Sequence, residues 1–400
     1  MPTLSFDRAR ACVIERVLAG RLFAAPESVA LECAAGRVLA EEIRADRDFP
    51  ALARSVRDGF AVRAQDLPGM LRIIGEVRAG DRFEGAVAAG EAVEIMTGAP
   101  VPRGADAVVM VEHVTRGVDG TVSTDRAAGP GQFINPQGCE ARAGETLLSP
   151  GKRLGFADIA LLATVGKNTV AVCPKPRVAL LATGDEIVPV TETPREHQIR
   201  NSNVYSLAAQ VTRAGGVPVI LPVARDQYGD TLGLAERGLE ADLLLISGGV
   251  SAGKYDIVER VLADLGAEFY FDRVLIQPGQ PLVFGRARDR FFFGLPGNPA
   301  STMVTFELCA RAAIELLGGQ SHSELPFLLA RLTRDFRHKP GLTRFLPAML
   351  AWSGPQPQLT PVAWSGSGDV PALTRANAFL VADADRAEWP AGELMPVLLK

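Results

Sequence analysis

The sequence predicts a multidomain α/β plus β fold, with a central open α/β domain that contains a mostly parallel sheet. Three observations support this prediction. The chain has 400 residues, of which 47% are hydrophobic, and a single hydrophobic core usually stops growing below that length. Strand and helix patterns alternate between residues 177 and 321, which is typical of βαβ units. Short strand-like runs with Gly and Pro breaks, at 49–137 and 322–400, predict two small β domains.

The N-terminal region predicts an amphipathic helix at Ser5–Leu22. Ser5 is suited to the N-cap, and Gly20 lies near the end of the segment. Its apolar residues recur at helical spacing; they are Phe6, Ala9, Val13, Val17 and Leu18. A second helix is predicted at Gly155–Val165, followed by a strand at Thr169–Val172. We expect residues 1–48 and 138–176 to pack together as one discontinuous mixed lobe.

The middle of the chain changes from a β pattern to an alternating one. In 49–137 the predicted strands are Gly59–Val62, Leu71–Ile74, Ala92–Met96 and Ala107–Val111. In 177–321 the predicted strands are Val178–Ala182, Val217–Val223, Leu243–Ile246 and Phe291–Leu295. The predicted helices between and after them are Ser202–Arg213, Tyr228–Leu239, Asp256–Leu265 and a long helix from Pro299. A parallel sheet gathers its ligands at the carboxyl ends of the strands, so we expect the chemistry there.

Charge and cysteine usage exclude several classes of function. The formal net charge is -4, which argues against a nucleic-acid surface, since such surfaces need clustered Lys and Arg. The five cysteines and four histidines show no zinc-site spacing. The N-terminus lacks the apolar core of a signal peptide, and no later run is long and apolar enough to span a bilayer. We expect a soluble cytoplasmic protein with reduced thiols.

The segment Asp242–Asp256 is a buried strand that enters a Gly-rich loop and then a helix. Such a loop directs backbone N–H groups toward an anion, and the helix N-terminus adds favourable potential. Ser247 and Ser251 offer hydroxyls, and Asp256 could hold a metal near the helix start. An ordinary strand-to-helix turn, with Asp256 as a cap, explains this motif equally well when it is taken alone.

Two further junctions of this kind follow predicted strands. In Phe291–Ser301, Asn298 at the N-cap and Pro299 at the first helical position form a good helix start. That structural explanation is preferred for the motif alone, while a functional one adds Ser301 and free N–H groups that face an oxyanion. The second junction ends a strand on Thr183, Gly184, Asp185 and Glu186. Adjacent acids often form a solvated turn, but at this sheet edge they suit Mg²⁺ that retains several waters.

Two motifs lie outside the predicted α/β domain. Asp58–Gly59 follows Arg57 and could be only a tight hairpin turn, which Asp-Gly favours. The segment Met96–Pro100 contains Thr97 and could be only the end of a strand. The structural explanation is preferred for each motif in isolation. Sequences of the Walker A and GxGxxG types do not occur.

Taken together, six motifs resemble the bacterial molybdopterin molybdenumtransferases, a family that includes the C-terminal part of gephyrin. The motifs occur in the order of the family and cover nearly the whole chain. They are DGFAVR (Asp58–Arg63), MTGAPVPRGADAVVMVE (Met96–Glu112), TGDE (Thr183–Glu186), SGGVSAGKYD (Ser247–Asp256), QPGQP (Gln277–Pro281) and GLPGNPAS (Gly294–Ser301).

The resemblance implies an elongated homodimer with four domains per subunit and an active site shared between the subunits. It implies domains at 1–48 with 138–176, at 49–137, at 177–321 and at 322–400. By motif position, the catalytic residues are Asp58, Thr97, Glu186 and Asp256, and the Mg²⁺ ligands are Asp185, Glu186 and Asp256. The implied substrate-binding residues are Thr183, Gly184, Ser247, Gly248, Gly249, Val250, Ser251, Gln277, Pro278, Gln280, Pro296, Gly297, Asn298, Pro299 and Ser301.

The implied reaction is the Mg²⁺-dependent insertion of molybdate into adenylylated molybdopterin with release of AMP. The implied partners are these two substrates, a second copy of the chain and the molybdopterin adenylyltransferase that supplies the nucleotide. Two alternatives stay open at this stage. One is a non-catalytic molybdopterin-binding or scaffold protein, and the other is a molybdopterin adenylyltransferase. The retained carboxylates argue against a pure binder, since burying them near phosphates costs free energy.

The departures from the family pattern remove positive charge. The usual lysines of the KPGKP loop are Gln277 and Gln280 here, so an oxyanion loses charge-assisted donors. The other departures are the segment 133–140 in place of an Arg-rich stretch, Pro347 at a frequently basic position close to Arg344, and Pro371-Ala372 in place of a Ser pair. These differences predict weaker binding of molybdate and concern the fold less.

Overall fold

The computed structural model describes residues 3–22, 24–249, 257–352 and 354–400. The chain divides into two compact units. The larger unit comprises Met1–Ala40, Pro150–Phe156 and Thr169–Lys400, and the smaller unit comprises Glu41–Ser149 and Ala157–Asn168. Among the described residues, no helix combines the length and the apolar composition needed to cross a membrane.

The predicted helices are confirmed to within two residues at each end that the structure describes. One difference is that the helix from Pro299 contains a π-helical segment, Phe306–Ala310, which separates α6 from α7. The α-helices are α1 (Phe6–Gly20), α2 (Phe156–Thr164), α3 (Asn203–Ala214), α4 (Tyr228–Gly238), α5 (Ile257–Asp264), α6 (Pro299–Thr305), α7 (Arg311–Leu317) and α8 (Val370–Thr374). Short 3-10 turns lie at Leu31–Cys33, Ala64–Asp66 and Val111–His113.

The predicted strands are confirmed, although the strand expected at Val217–Val223 ends at Ile220. The strands are β1 (Thr3–Leu4), β2 (Glu27–Ala30), β3 (Ile43–Arg44), β4 (Arg54–Ser55), β5 (Gly59–Val62), β6 (Gly69–Val77), β7 (Glu91–Ile95), β8 (Ala107–Met110), β9 (Thr115–Arg116), β10 (Thr121–Thr124), β11 (Ile134–Asn135), β12 (Thr146–Leu148), β13 (Thr169–Val172), β14 (Arg177–Ala182), β15 (Ile187–Val188), β16 (Ile199–Arg200), β17 (Val217–Ile220), β18 (Leu243–Ser247), β19 (Glu268–Val274), β20 (Ile276–Gln277), β21 (Pro281–Ala287), β22 (Arg290–Leu295), β23 (Phe327–Leu332), β24 (Phe336–Arg337), β25 (Thr343–Trp352), β26 (Pro357–Pro361), β27 (Ala378–Ala382), β28 (Glu388–Trp389) and β29 (Leu394–Leu399).

The larger unit is built on a seven-stranded sheet of order β1-β19-β21-β22-β18-β14-β17. Four neighbouring pairs are parallel, and the β19–β21 and β21–β22 pairs are antiparallel. The antiparallel β21–β22 pair turns through Arg288 and Asp289, both with positive φ, as a two-residue primed turn requires. The prediction of a mostly parallel sheet within a mixed α/β fold is therefore confirmed.

Alternate residues of the central strands enter two different cores, because successive side chains of a strand point to opposite faces. Leu180, Leu245 and Phe293 pack in the core that also contains the buried faces of α1, α3 and α7. Leu181 and Ile246 pack in a second core with residues of α4 and α5. Helices thus cover both faces of the sheet, and polar side chains are left to the strand ends.

The C-terminal part of the larger unit is a small closed barrel. Strands β25, β26, β23, β29 and β27 pair in that order, and β27 also pairs with β25, which closes the ring. Its core contains Leu332, Leu359, Leu380 and Val397. Closure removes the unpaired edges that an open sheet of this size would expose.

The smaller unit contains a six-stranded sheet of order β8-β5-β7-β6-β10-β9. Strand β5 is buried along its whole length between β7 and β8. Phe60 and Val62 enter one core, while Ala61 enters the other. The sheet therefore fixes the backbone on the C-terminal side of Asp58.

The four-domain division stays a prediction. Strand β2 pairs with β13, and β3 pairs with β12, so residues from 1–48 do contact residues from 138–176. The two compact units nevertheless divide this region at Ala40 and Ser149, and they do not coincide with the four predicted segments.

We predict opposite effects on stability for two glycine substitutions in the larger unit. A Cβ at Gly285, in the middle of β21, would lie 2.5 Å from the Glu268 carbonyl oxygen and 2.5 Å from Phe292 Cζ. Gly285→Ala should therefore destabilise the unit by roughly 2 kcal/mol or more. Gly233 is an exposed residue in the interior of α4, and no atom lies within 4 Å of a Cβ added there. Gly233→Ala should therefore stabilise the unit by about 0.5–1 kcal/mol.

Thermal unfolding of the parent and of the two variants, followed by circular dichroism, shows whether each substitution raises or lowers the unfolding midpoint. Because the chain has two compact units, the midpoints are compared and no two-state free energy is fitted. A midpoint for Gly285→Ala at or above that of the parent would contradict the close approach of β19 and β21.

Candidate active site

Three loops of the larger unit leave neighbouring parallel strands at the same level. Ala182 of β14 is aligned with Ser247 of β18, and Ser247 is aligned with Leu295 of β22. Backbone bonds continue the alignment beyond the strands: Thr183 N–H donates to the Ser247 carbonyl at 3.1 Å, and Gly248 N–H donates to the Leu295 carbonyl at 3.1 Å. The three predicted motifs thus begin side by side at one sheet edge.

These loops border a cavity of about 800 Å³. The size suits a ligand larger than a simple anion. Ten of the residues predicted to bind or act on the substrate line it; they are Thr183, Gly184, Glu186, Ser247, Gly248, Gly249, Pro296, Gly297, Asn298 and Pro299. The prediction that the three motifs form one site in the larger unit is supported by this placement.

The glycines of the SGGVS loop are required by close packing. Gly248 and Gly249 both have positive φ, at 97° and 64°, where side chains other than Gly are strained. A Cβ at Gly248 would lie 2.7 Å from the Thr183 carbonyl oxygen, and one at Gly249 would lie 2.6 Å from a methyl of Val258. Val250 and Ser251, the other predicted residues of this loop, lie outside the described residues.

The predicted metal ligands are only partly brought together. The Asp185 carboxylate accepts a hydrogen bond from the Asp226 backbone N–H at 3.2 Å, and Asp185 does not line the cavity. Glu186 lines the cavity, and its carboxylate lies against Gly184. Asp256 lies outside the described residues. Within the described part of the chain, no group of three or more His, Cys, Asp or Glu side chains is placed to hold a metal ion.

The start of α6 offers fewer free N–H groups than the motif suggests. Asn298 is the N-cap residue and Pro299 follows it, but the Asn298 side chain makes no capping bond. The Ala300 N–H donates to the Ser367 carbonyl at 2.8 Å, and the Thr302 N–H donates to the Asn298 carbonyl at 2.9 Å. A loop of the C-terminal barrel has therefore taken one of the N–H groups that were expected to face an oxyanion.

Ser301 and the first four residues of the QPGQP motif do not line the cavity. Ser301 is buried in α6 and does not line the cavity. A Cβ at Gly279 would overlap the Thr305 methyl, so the loop packs closely on α6. Gln277 is exposed, Pro278 is buried, and the Gln280 carbonyl accepts a hydrogen bond from Val274 N–H at 2.9 Å. From this motif, Pro281 reaches the cavity.

Gln277 is paired with Arg344 across the parallel β20–β25 ladder. The Arg344 guanidinium donates through Nη2 to the Lys339 carbonyl at 3.3 Å. Its Nε is buried and has no hydrogen-bond partner among the described residues. A cation thus stands beside the position where the family usually has a lysine.

In the smaller unit, the structure joins the two residues that the resemblance implies are catalytic. The Asp58 carboxylate accepts a hydrogen bond from the Thr97 backbone N–H at 2.6 Å. This bond, with a further one from the Thr97 side chain, lowers the pKa of Asp58, so Asp58 is an anion at neutral pH. The hairpin explanation of Asp58–Gly59 is wrong, because β5 pairs with β7 and β8 and β4 pairs with β11.

The sequence interpretation missed a polar segment ahead of α3. Arg200, Asn201, Ser202 and Asn203 all line the cavity. Asn203 Nδ2 lies 2.7 Å from the Gly297 carbonyl oxygen and 2.9 Å from Ser247 Oγ. The signal was available, because a run of hydrogen-bonding residues directly before an amphipathic helix in an α/β domain falls at the carboxyl edge of the sheet.

Two buried polar atoms at this edge have no hydrogen-bond partner in the described structure. They are Thr183 Oγ1 and Asn203 Oδ1. An unpaired buried polar group costs about 1–3 kcal/mol, and native proteins keep few of them. Both residues line the cavity, so the site carries unused hydrogen-bonding capacity.

Comparison with known protein families covers most of the chain. Residues 4–166 match the MoeA N-terminal region (domain I and II), and residues 329–400 match the MoeA C-terminal region (domain IV). Residues 179–316, which contain the cavity, match a probable molybdopterin binding domain.

Individual relatives agree with these matches. The molybdopterin molybdenumtransferase of Bacillus subtilis (strain 168) is 36% identical in an alignment of 387 positions that covers 93% of this chain and 89% of the relative. That of Nostoc sp. (strain PCC 7120) is 36% identical over 79% of this chain and 74% of the relative. A solved molybdopterin biosynthesis MoeA protein from Pyrococcus horikoshii OT3 has a TM-score of 0.81 and 27% identity, with 100% of both chains covered.

A second solved MoeA structure, from the same archaeon, has a TM-score of 0.75 and 32% identity, and it covers 100% of this chain and 99% of that chain. The motifs and these relatives cover nearly the full length of the chain, and the cavity lies within the region that matches a molybdopterin binding domain. The chain therefore belongs to the molybdopterin molybdenumtransferase family and is an enzyme of molybdenum cofactor biosynthesis.

Proposed function

We propose that the enzyme inserts molybdate into adenylylated molybdopterin and releases AMP. The observation that supports this most directly is the cavity of about 800 Å³ bordered by all three strand-end loops. A simple oxyanion would fill a small fraction of it, whereas a pterin carrying a nucleotide is large enough to reach from one loop to another. Attack by a molybdate oxygen or by water on the phosphoanhydride would then release AMP.

The phosphates of this substrate would lie along the Ser247–Gly249 segment. Close approach of an anion to the backbone is possible there because Gly248 and Gly249 have no side chains. Arg200 of β16 also lines the cavity, and its Nε is held by the Glu192 carbonyl at 2.9 Å. A guanidinium fixed in this way can still present its remaining N–H groups to a phosphate.

We propose that Mg²⁺ takes part in this site. Glu186, Asp226 and Thr183 line the cavity, and the Thr183 hydroxyl has no hydrogen-bond partner among the described residues. Hard oxygen donors of this kind fit Mg²⁺, which proteins usually bind through one or two carboxylates while substrate phosphates and waters complete its octahedron. The ion would supply charge stabilisation for the leaving group. The contributions expected of Asp185 and Asp256 stay predictions.

We further propose a homodimer in which Asp58 and Thr97 of one subunit complete the site of the other. The resemblance implies this arrangement, and in this chain the Thr97 N–H holds the Asp58 carboxylate as an anion. Contact with a molybdopterin adenylyltransferase and a cytoplasmic location stay predictions of the resemblance.

The first prediction of this proposal concerns the reaction itself. Purified protein incubated with adenylylated molybdopterin, Mg²⁺ and molybdate should release AMP, and omission of molybdate should prevent the release. EDTA should abolish it, because the leaving phosphate then lacks its compensating charge. Chromatographic measurement of AMP provides the test. Equal release with EDTA would remove the metal from the proposal, and consumption of ATP without molybdate would indicate an adenylyltransferase instead.

The second prediction concerns the shared site. Asp58→Asn removes the charge but keeps an oxygen that accepts the Thr97 N–H, so the variant should fold and lose activity. Glu186→Ala should also be inactive. After subunit exchange between equal amounts of the two variants, activity should return to roughly a quarter of the parent level, because half of randomly paired dimers carry one intact site of two.

The controls for this experiment are the two unmixed variants and a tagged mixture that shows exchange has occurred. If exchanged dimers have no activity, Asp58 and Glu186 act in the same subunit. If Asp58→Asn alone keeps the parent activity, Asp58 has no catalytic role.

The third prediction concerns the missing lysines. The amides of Gln277 and Gln280 can donate to an oxyanion, but their bonds lack the charge that makes ammonium bonds about twice as strong. Gln277→Lys with Gln280→Lys should lower the molybdate concentration for half-maximal activity roughly tenfold, if each charge contributes about 0.5–1 kcal/mol. The gain should shrink with added salt.

Arg344→Gln is the matched control for the lysine variants. Arg344 is the ladder partner of Gln277 and has an unpaired Nε, so it is the first candidate for a compensating charge. If the double lysine variant needs as much molybdate as the parent, and Arg344→Gln needs more, Arg344 already supplies the charge. If neither variant changes the requirement, molybdate does not bind near this ladder.

A further inference from the structure

Asn203 connects two of the three loops through one side-chain amide. It is the first residue of α3, and its Nδ2 lies 2.7 Å from the Gly297 carbonyl oxygen, 2.9 Å from Ser247 Oγ and 3.3 Å from Thr302 Oγ1. Gly297 belongs to the loop after β22, whereas Ser247 ends β18. One amide therefore bridges the ends of two parallel strands.

The orientation of the Asn203 amide is fixed by chemistry. The Gly297 carbonyl oxygen can only accept a hydrogen bond, so the atom 2.7 Å away from it must be the amide nitrogen. Rotating the amide by 180° would place two acceptors against each other. Asn203 is consequently a donor toward Ser247 as well.

Because the Asn203 amide donates, the Ser247 hydroxyl is the acceptor in the hydrogen bond between them. A hydroxyl has a single proton to donate, and Ser247 Oγ uses its oxygen to accept from Asn203. No described residue accepts the Ser247 proton, and Ser247 lines the cavity. Thr302 differs: it also lies near Asn203, but its hydroxyl donates to the Pro296 carbonyl at 2.5 Å. Among the described residues, therefore, the Thr302 proton has an acceptor and the Ser247 proton has none.

We infer that Asn203 is a positioning residue that sets the Ser247 hydroxyl as a hydrogen-bond donor toward an anionic oxygen of the ligand. The inference rests on the proposed function insofar as the cavity binds a phosphate-bearing ligand. A buried serine without such a neighbour could turn its proton toward the protein and oppose the anion with its lone pairs. With Asn203 in place, a Ser247 proton turned toward the amide would face the Asn203 N–H, so that two donors would point at each other.

A double-mutant cycle tests this inference. We expect Ser247→Ala to weaken binding of AMP and of inorganic pyrophosphate about tenfold in calorimetric titrations, the loss expected for one hydrogen bond to a charged group. Asn203→Ala should weaken it by a similar factor. In the Ser247→Ala background, however, Asn203→Ala should have little further effect, because the hydroxyl through which it acts is gone.

Thr302→Val is the matched control, since it removes the other hydroxyl near Asn203. It should leave binding unchanged and should not couple to Asn203→Ala. Thermal unfolding of each variant measures the structural contribution separately. If Asn203→Ala does not fold, Asn203→Ser replaces it, because the shorter side chain cannot reach all three acceptors.

The outcomes distinguish this inference from the proposed function. Equal weakening by Asn203→Ala with and without Ser247 would overturn the inference, even if molybdate-dependent AMP release continues. Failure of the parent to bind either probe would also overturn it, because the hydroxyl would then serve no anion. Coupling between positions 203 and 247, without AMP release, would keep the inference and reject the proposed reaction.

Discussion

The in-register alignment of β14, β18 and β22 is the constraint on which the site depends. These strands are parallel, and Ala182, Ser247 and Leu295 lie side by side at their ends. Helices cover both faces of the strands, so alternate side chains pack into two apolar cores. Burial of each large apolar side chain contributes about 1.5–3 kcal/mol. A shift of one residue in any strand would exchange its two faces. The packing that stabilises the sheet therefore also places the three loops level with one another.

The polar groups beyond that edge depend on more distant parts of the larger unit. Ser367 in a loop of the C-terminal barrel accepts the Ala300 N–H at the start of α6. Trp364 of the same loop packs against both the core of the main sheet and the core of the barrel. A change in the barrel would thus reach the loops that border the cavity through this backbone hydrogen bond and this aromatic side chain, together with the barrel residues Phe345, Phe379 and Leu398, which are themselves part of the core of the main sheet.

The sequence predicted the elements of the fold well where the physical signal was local. Period-two and helical patterns located α1, α3 and β14 to within one or two residues, because core burial imposes those periods. The pairing of Asp58 with Thr97 could not be derived from spacing, since 39 residues separate them along the chain. The role of the Asp-Gly turn was also mistaken. A local turn preference does not reveal which strands the adjoining segments pair with.

The charged residues around the cavity support the proposed Mg²⁺. Glu186, Asp226 and Arg200 line the cavity, so its lining contains two acidic residues and one basic residue. A pterin nucleotide would bring further negative charge close to those carboxylates. Like charges repel strongly where water is partly excluded, so these acids would oppose substrate binding unless a cation lies between them and the phosphates. Their position beside the loops proposed to bind phosphate is understandable if they hold Mg²⁺, because each would then contribute to binding the ligand that it would otherwise repel.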